Sequence, residues 1–266
     1  MSTNRKISFI ICSKNDNWEG KPIDRLRKSI QMTCENTDRP EDYEILIGDW
    51  GSDVPIHEEL GISPSIKCRV LYVPKEVTSK FNVPVSEVHC LNMLARRASG
   101  NFVGRVDQDT ITHNRFFDFV ESVPLEEDGL YWSTRSDLPP DCFDYSKSVF
   151  QGDPCGVGFW AAAIGIILMS KNSWNRISGY NEKMIYRNHM EHDLFHRAIR
   201  ICKLYNLGCH LSAPFYHIYH DRAMGKAAKN NDMIFNQTYF NSLPTQINGS
   251  EYGLSEFDNL IQERII

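Results

Sequence analysis

Asn101-Phe102-Val103-Gly104-Arg105-Val106-Asp107-Gln108-Asp109 decides the fold reading: a run of strand length, mostly apolar, that breaks into two carboxylates one residue apart. Open α/β sheets gather ligands just outside the carboxyl ends of their strands. In extended chain, residues two apart project to the same side, so Asp107 and Asp109 aim together while Gln108 points away. Two convergent carboxylates are hard oxygen ligands suited to Mg²⁺ or Mn²⁺, with phosphate oxygens and water completing the octahedron. A solvated acidic turn is the alternative for any bare Asp-x-Asp. The position after a buried strand favours the metal.

Upstream, the chain alternates strand-like and helical patterns. Ile7-Ser8-Phe9-Ile10-Ile11-Cys12 and Tyr43-Glu44-Ile45-Leu46-Ile47 are nearly continuous apolar runs, as strands covered on both faces require. Ile23, Leu26 and Ile30 recur between them at helical spacing and predict a βαβ unit. Val70-Leu71-Tyr72-Val73 is a third run, stopped by Pro74. Ser86 then predicts a helix start, with Val88, Leu91, Ala95 and Ala98 as its apolar stripe and Ser99-Gly100 as its stop. Beyond residue 110, Leu130-Tyr131-Trp132 and Ile164 to Met169 are strand candidates. The Pro- and Asp-rich stretch Ser136 to Pro154 between them predicts a long loop. An amphipathic helix is expected from about Glu191 to Tyr205, and the last forty residues are polar and weakly patterned.

The whole chain has 266 residues, is 41% hydrophobic and carries a formal charge of -5. That length supports a substantial core and excludes small-scaffold explanations. The mild acidity argues against a protein whose main task is gripping nucleic acid. The polar start at Met1 to Lys6 has no secretory pattern, and the most apolar stretch, Cys155 to Met169, is too short to cross a bilayer. The eight cysteines include no C-x-x-C pair, which fits a reducing, cytoplasmic setting. In that setting the sequons at Asn236 and Asn248 carry little weight.

Asp49-Trp50-Gly51-Ser52-Asp53 follows the second strand at the equivalent sheet edge; Gly51 suits a tight turn, and Asp49 could accept hydrogen bonds from a base or ribose. A simple turn explains the motif nearly as well. Taken in order, Ile10 to Asn15, Ile45 to Ser52, Leu91-Asn92 through Gly100 to Asp109, Ser178-Gly179-Tyr180-Asn181-Glu182, and Glu191-His192-Asp193-Leu194 with Arg197 resemble family 2 glycosyltransferases of the GT-A fold. The match runs from residue 5 to about 222. The resemblance implies an α/β, Rossmann-like nucleotide-diphospho-sugar transferase fold: a mixed central sheet with helices on both faces. It implies a single domain over 1–266, with a donor half at about 1–110, an acceptor-side half at about 111–222 and a polar segment at 223–266.

Carried over by position, the resemblance places Ser13 and Asp49 on the base and ribose, Asn92 near the diphosphate, Asp107 on ribose or metal, and Asp109 as the principal metal ligand. Tyr216-His217-Ile218-Tyr219-His220-Asp221-Arg222 is similar to the segment that supplies a late histidine ligand, with His220 the first choice and His217 the second. Arg222, Lys226 and Lys229 form a basic segment that could close over the diphosphate; a solvated face is the plainer reading. Glu191 and Asp193 compete for the role of base. Residues two apart on a helix diverge; Glu191 lies on the inward stripe with Leu194 and Ala198, while Asp193 is four before Arg197, as in a solvent-side ion pair. Glu191 is the choice, although an acid here could simply complement the helix dipole. Trp160 could stack on a sugar ring, with core packing the plainer use.

The resulting expectation is inverting transfer of a hexose from a nucleotide-sugar, UDP-linked first, to a glycan, lipid-linked or protein hydroxyl, with Mn²⁺ or Mg²⁺ as cofactor. Three alternatives stand beside it. A nucleotide- or glycan-binding module of the same fold would be expected to lose the metal or base acids. A zinc hydrolase could use His189, His192 and His196 on one helix face, though there is no H-E-x-x-H. A nucleotidyltransferase normally opens with a Gly-rich phosphate loop, and Ser13-Lys14-Asn15-Asp16 is not one.

Overall fold

The computed structural model describes residues 6–16, 20–150, 164–185, 189–220, 229–240 and 244–266. The first half runs β1 (Ile7–Ser13), α1 (Pro22–Glu35), β2 (Tyr43–Trp50), α2 (Ile56–Glu59), β3 (Lys67–Val73), α3 (Lys75–Thr78), α4 (Glu87–Arg97), β4 (Phe102–Arg105), β5 (Thr110–Thr112) and α5 (Asn114–Ser122). The second runs β6 (Gly129–Thr134), β7 (Ser136–Asp137), β8 (Val149–Phe150), β9 (Ile164–Ser170), α6 (Lys171–Ile177), α7 (Met190–Ala198), β10 (Lys203–Asn206), β11 (Phe215–His217), α8 (Lys229–Phe240) and β12 (Gln262–Ile265).

Eight strands form one mixed sheet in the order β10-β6-β9-β4-β1-β2-β3-β12. β1, β2, β3 and β4 are mutually parallel, while β9 runs antiparallel between β4 and β6. The alternation of the pleat divides each apolar run between two cores. Ile10, Leu46, Leu71 and Val103 face α4, α6 and α7, whereas Phe9, Ile11, Ile45, Ile47 and Val70 face α1 and α5. Each such side chain contributes about 1.5–3 kcal/mol on burial, which outweighs any single residue's conformational preference. Helices therefore cover both faces of the sheet, as the sequence reading expects.

Three expectations are corrected. The helix expected to reach Tyr205 ends at Ala198; Tyr205 lies on β10, which pairs in parallel with β6 and stacks its ring on Tyr131 at 4.9 Å. An unpaired sheet edge claimed that segment before its helical spacing could. The Ser136 to Pro154 stretch is not all loop, because β7 and β8 join β5 and β11 in a second, four-stranded sheet of order β5-β11-β7-β8. Finally, the polar C-terminal segment contains α8 and an edge strand: β12 pairs antiparallel with β3, and Glu263 takes a bidentate pair from Arg69 at 2.7 and 2.9 Å. Every residue of β12 is exposed, so no apolar pattern could announce it. Among the described residues no helix is long and apolar enough to cross a membrane.

Candidate active site

The carboxyl ends of β1, β2 and β4 line one edge of the sheet, with Ser13 level with Asp49 in the parallel register. Ser13 donates its Oγ hydrogen to Gln108 Oε1 at 2.6 Å, tying the end of β1 to the Asp107–Asp109 loop. Gln108 and Asp109 lie in a turn closed by Thr110 N donating to Asp107 O at 3.1 Å, so the expected extended-chain alternation does not hold here. Asp49 is placed where expected but is not open to a ligand. One carboxylate oxygen accepts from Ser52 N and Oγ at 3.1 and 2.5 Å, the other from Ile56 N at 2.8 Å, and the side chain is fully buried. It closes the Gly51 turn, where φ is +66°, and caps α2. Burial pushes its carboxyl up, against the Ser52 and Ile56 hydrogen bonds.

Asn92 is likewise absorbed. Its Nδ2 donates to Tyr180 O at 2.9 Å and Glu182 Oε1 at 3.0 Å, and its Oδ1 accepts from Tyr180 N at 2.8 Å. It holds the turn at Gly179, whose φ is +63°. Asn248 completes that turn, donating to Ser178 O and Tyr180 O, so the amide of this sequon is occupied.

The small sheet brings together three residues that sequence placed far apart. Asp109, immediately before β5, His217 at the end of β11 and His220 just beyond it offer ligand atoms that all lie within 4.8 Å of one another. His220 Nε2 is 3.1 Å and His217 Nε2 3.5 Å from the Asp109 carboxylate, with Arg25 Nε at 3.7 Å. The expected Asp109 and both histidine candidates therefore converge. Burial would raise Asp109, but His217, His220 and Arg135 outweigh it and hold the carboxyl well below its usual range.

Asp107 is not part of this cluster. Its two oxygens take Arg105 NH2 and Arg135 NH1, each at 2.6 Å, and Arg135 NH1 also lies 4.0 Å from Asp109. The paired carboxylates converge on an arginine, and only Asp109 on the histidines. Arg105, itself buried, uses the same nitrogen to reach Glu87 Oε1 at 3.0 Å and Glu191 Oε1 at 3.1 Å. Glu191, in the first turn of α7, is thereby held beside Asp107 at the sheet edge. Burial, reinforced by Glu191 and Asp107 and opposed by Arg105, pushes the Glu87 carboxyl up to about 7.

Asp193 pairs with Arg197 as the four-residue spacing predicts, yet the pair is not on the solvent side. Asp193 Oδ2 sits 2.9 Å from Arg197 Nε and 2.8 Å from NH2, and both side chains are completely buried. Arg197 also donates to Ile177 O and Gly179 O at 2.8 Å, anchoring α7 to the turn that Asn92 holds. Asp193 is thus turned away from Arg105 and Asp107.

Among the described residues, the three helix histidines form no group that could hold an ion. His189, His192 and His196 pack around Phe235 of α8, with ring centroids at 4.7, 5.8 and 5.7 Å, and His189 Nε2 pairs with Asp232 at 3.2 Å. Lys229 begins α8, while Arg222, Lys226 and Trp160 lie outside the described residues. Residues the sequence reading passed over are Arg25, Glu87, Arg105, Arg135 and Asp137. Arg105 carried a signal: a charged residue inside a buried strand must find partners.

No protein-family model and no curated protein matches the chain. Among solved structures, the catalytic domain of Drosophila β1,4-galactosyltransferase 7 in complex with xylobiose superposes with a TM-score of 0.51 at 11% identity, covering 86% of this chain and 79% of that one. The likeness is one of fold. This chain has a GT-A glycosyltransferase-like fold, with its large mixed sheet flanked by helices, and the Asp109 cluster stands at the carboxyl edge of its parallel strands.

Proposed function

We propose that the chain is a metal-dependent glycosyltransferase, one GT-A domain that moves a hexose from a nucleotide-sugar, UDP-linked in the first instance, to a hydroxyl acceptor with inversion. The observation that carries this reading is the convergence of Asp109, His217 and His220 at the sheet edge, with Glu191 held nearby through Arg105 and Asp107. Structural likeness to a galactosyltransferase supports glycosyl transfer as the reaction class.

The donor set fits a divalent ion. His217 Nε2 is buried, has no hydrogen-bond partner among the described residues, and lies 3.5 Å from the Asp109 carboxylate. One carboxylate and two imidazoles suit a first-row transition ion, so Mn²⁺ is preferred to Mg²⁺, which favours all-oxygen sites. When bound there, the ion supplies charge stabilisation to the departing nucleoside diphosphate. Arg135 and Arg25 border the same carboxylate and can turn towards phosphate oxygens. Glu191 takes the proton of the acceptor hydroxyl as its oxygen forms the new bond to the anomeric carbon and the bond to diphosphate breaks. Arg105 holds Glu191 in place for that transfer.

The test is nucleotide release from a panel of UDP-, GDP- and dTDP-sugars, with Mn²⁺, Mg²⁺ or chelator, in the wild type and in Asp109→Ala. Metal-dependent release that disappears in the variant, with the fold retained, is the expected result; full activity in Asp109→Ala overturns the reading. Binding of a sugar nucleotide with no turnover would instead favour the non-catalytic module.

A further inference from the structure

The smaller sheet does more than support a loop. His217 pairs with Thr110 on one side, antiparallel, and with Asp137 on the other, parallel. Asp109, one residue before Thr110 and just outside β5, stands opposite Ile218 at the end of this rank, and its carboxylate reaches the His217 ring. Backbone hydrogen bonds lock the rank at both junctions: Ile218 N donates to Asp109 O at 2.9 Å, and Leu138 N to His217 O at 2.9 Å. In this register His217 Nδ1 lies 3.0 Å from Asp137 Oδ1, while Nε2 faces Asp109. Asp137 itself stands outside the group of three that could grip an ion.

We propose that Asp137 is a positioning residue for the metal site, fixing the ring and tautomer of His217 so that the Nε2 lone pair points at the ion. The argument rests on the metal reading given above and on the chemistry of imidazole. A neutral ring has one N–H and one lone pair. Asp137, 3.0 Å from Nδ1, accepts a hydrogen bond from Nδ1–H and repels a lone pair there, while Asp109 lies on the Nε2 side, so the nitrogen that gives up its proton to an ion held with Asp109 is Nε2. His217 is 3% exposed, so water does not compete for either nitrogen. The stretch that composition marked as a loop thus carries a strand whose job is to set the state of a ligand eighty residues away in sequence.

The experiment is a Mn²⁺ titration of the full chain, read by the electron paramagnetic resonance of the free ion, for the wild type, Asp137→Ala, Asp137→Asn and Asp109→Ala. Asp137→Ala should weaken Mn²⁺ binding by about 10- to 100-fold, the usual loss for an outer partner of a metal-bound histidine. Asp137→Asn should lose less, because its amide oxygen still accepts from Nδ1–H. Imidazole ¹⁵N shifts of the metal-free protein give a second readout that general loosening of the sheet would not imitate: His217 should be Nδ1–H in the wild type and in Asp137→Asn. If Asp137→Ala fails to fold, the asparagine variant and the ¹⁵N tautomer decide. Wild-type binding that is lost in Asp109→Ala but unchanged in both Asp137 variants refutes the role of Asp137 and leaves the metal site standing. A wild type that binds no Mn²⁺ removes the metal site and this inference together.

Discussion

Replacing Glu87 by Gln should flatten the loss of stability that the wild type suffers between pH 4.5 and about 7. One nitrogen of Arg105 is divided among Glu87 at 3.0 Å, Asp107 at 2.6 Å and Glu191 at 3.1 Å, so a single buried guanidinium serves three carboxylates. Burial and the two like-charged neighbours push Glu87 from 4.5 up to about 7. The sign follows from proton counting. Between those two values the unfolded chain has released the proton and the folded one keeps it, so the stabilising contribution is complete below 4.5 and lost as pH rises through about 7. At about 1.4 kcal/mol per pH unit the ceiling is about 3.5 kcal/mol. The Glu87 side chain is 28% exposed, and screening there reduces the expected effect to about 1–2 kcal/mol. Glutamine keeps the shape and an acceptor for Arg105 but does not titrate. Urea denaturation at fixed ionic strength at pH 5, 6, 7 and 8 measures the outcome: the stability of the variant relative to wild type should rise by that amount across the series. Parallel curves would show that Glu87 titrates normally and that Arg105 does not bind the three acids into one unit.

Other variants probe separate parts of the site. Asp193→Ala leaves Arg197 charged and unpaired in a fully buried position and should cost about 3–5 kcal/mol, seen as a melting temperature lower by about 10 °C or more. Gly179→Ala should destabilise by at least about 1 kcal/mol, because φ is +63° and an added Cβ meets Asn92 Oδ1; an unchanged urea midpoint would contradict the geometry. Glu191→Gln should lower sugar transfer by about 10²–10⁴-fold while leaving Mn²⁺ affinity within twofold of wild type, and near-normal turnover would remove it as the base.

The parts of the fold legible in sequence are those where one physical demand dominates. A strand covered on both faces is largely apolar, and β1 and β2 announce themselves that way. The edge strand β12 buries nothing and stays silent. At the site, residue type indicates what a side chain can do but not which neighbour has already claimed its lone pairs. Asp49 and Asn92 have the right chemistry for a nucleotide, yet a turn of the chain occupies each completely. The Asp193–Arg197 spacing foretold the pair; its burial depended on how α7 lies against the Gly179 turn, which no local pattern records. Asp109 and His217 are 108 residues apart, and only the antiparallel register of Thr110 with His217 makes them neighbours.

The acidity of the chain takes a different meaning from the same geometry. Four carboxylates at the sheet edge, Glu87, Asp107, Asp109 and Glu191, are met by three arginines, Arg25, Arg105 and Arg135. Most of these acids hold guanidinium groups, and only Asp109 joins the two histidines. The carboxylate of Asp109 by itself repels a nucleoside diphosphate. One divalent ion reverses that sign, and at 4 Å each unit of charge changes the interaction with a phosphate by about 4 kcal/mol at an effective dielectric of 20. Under the proposed function, nucleotide affinity should therefore depend on the metal more strongly than on any one arginine. The comparison is calorimetric: UDP binding with Mn²⁺, with chelator, and with Mn²⁺ in Arg135→Gln. Equal affinity with and without the ion would show that the arginines alone hold the diphosphate.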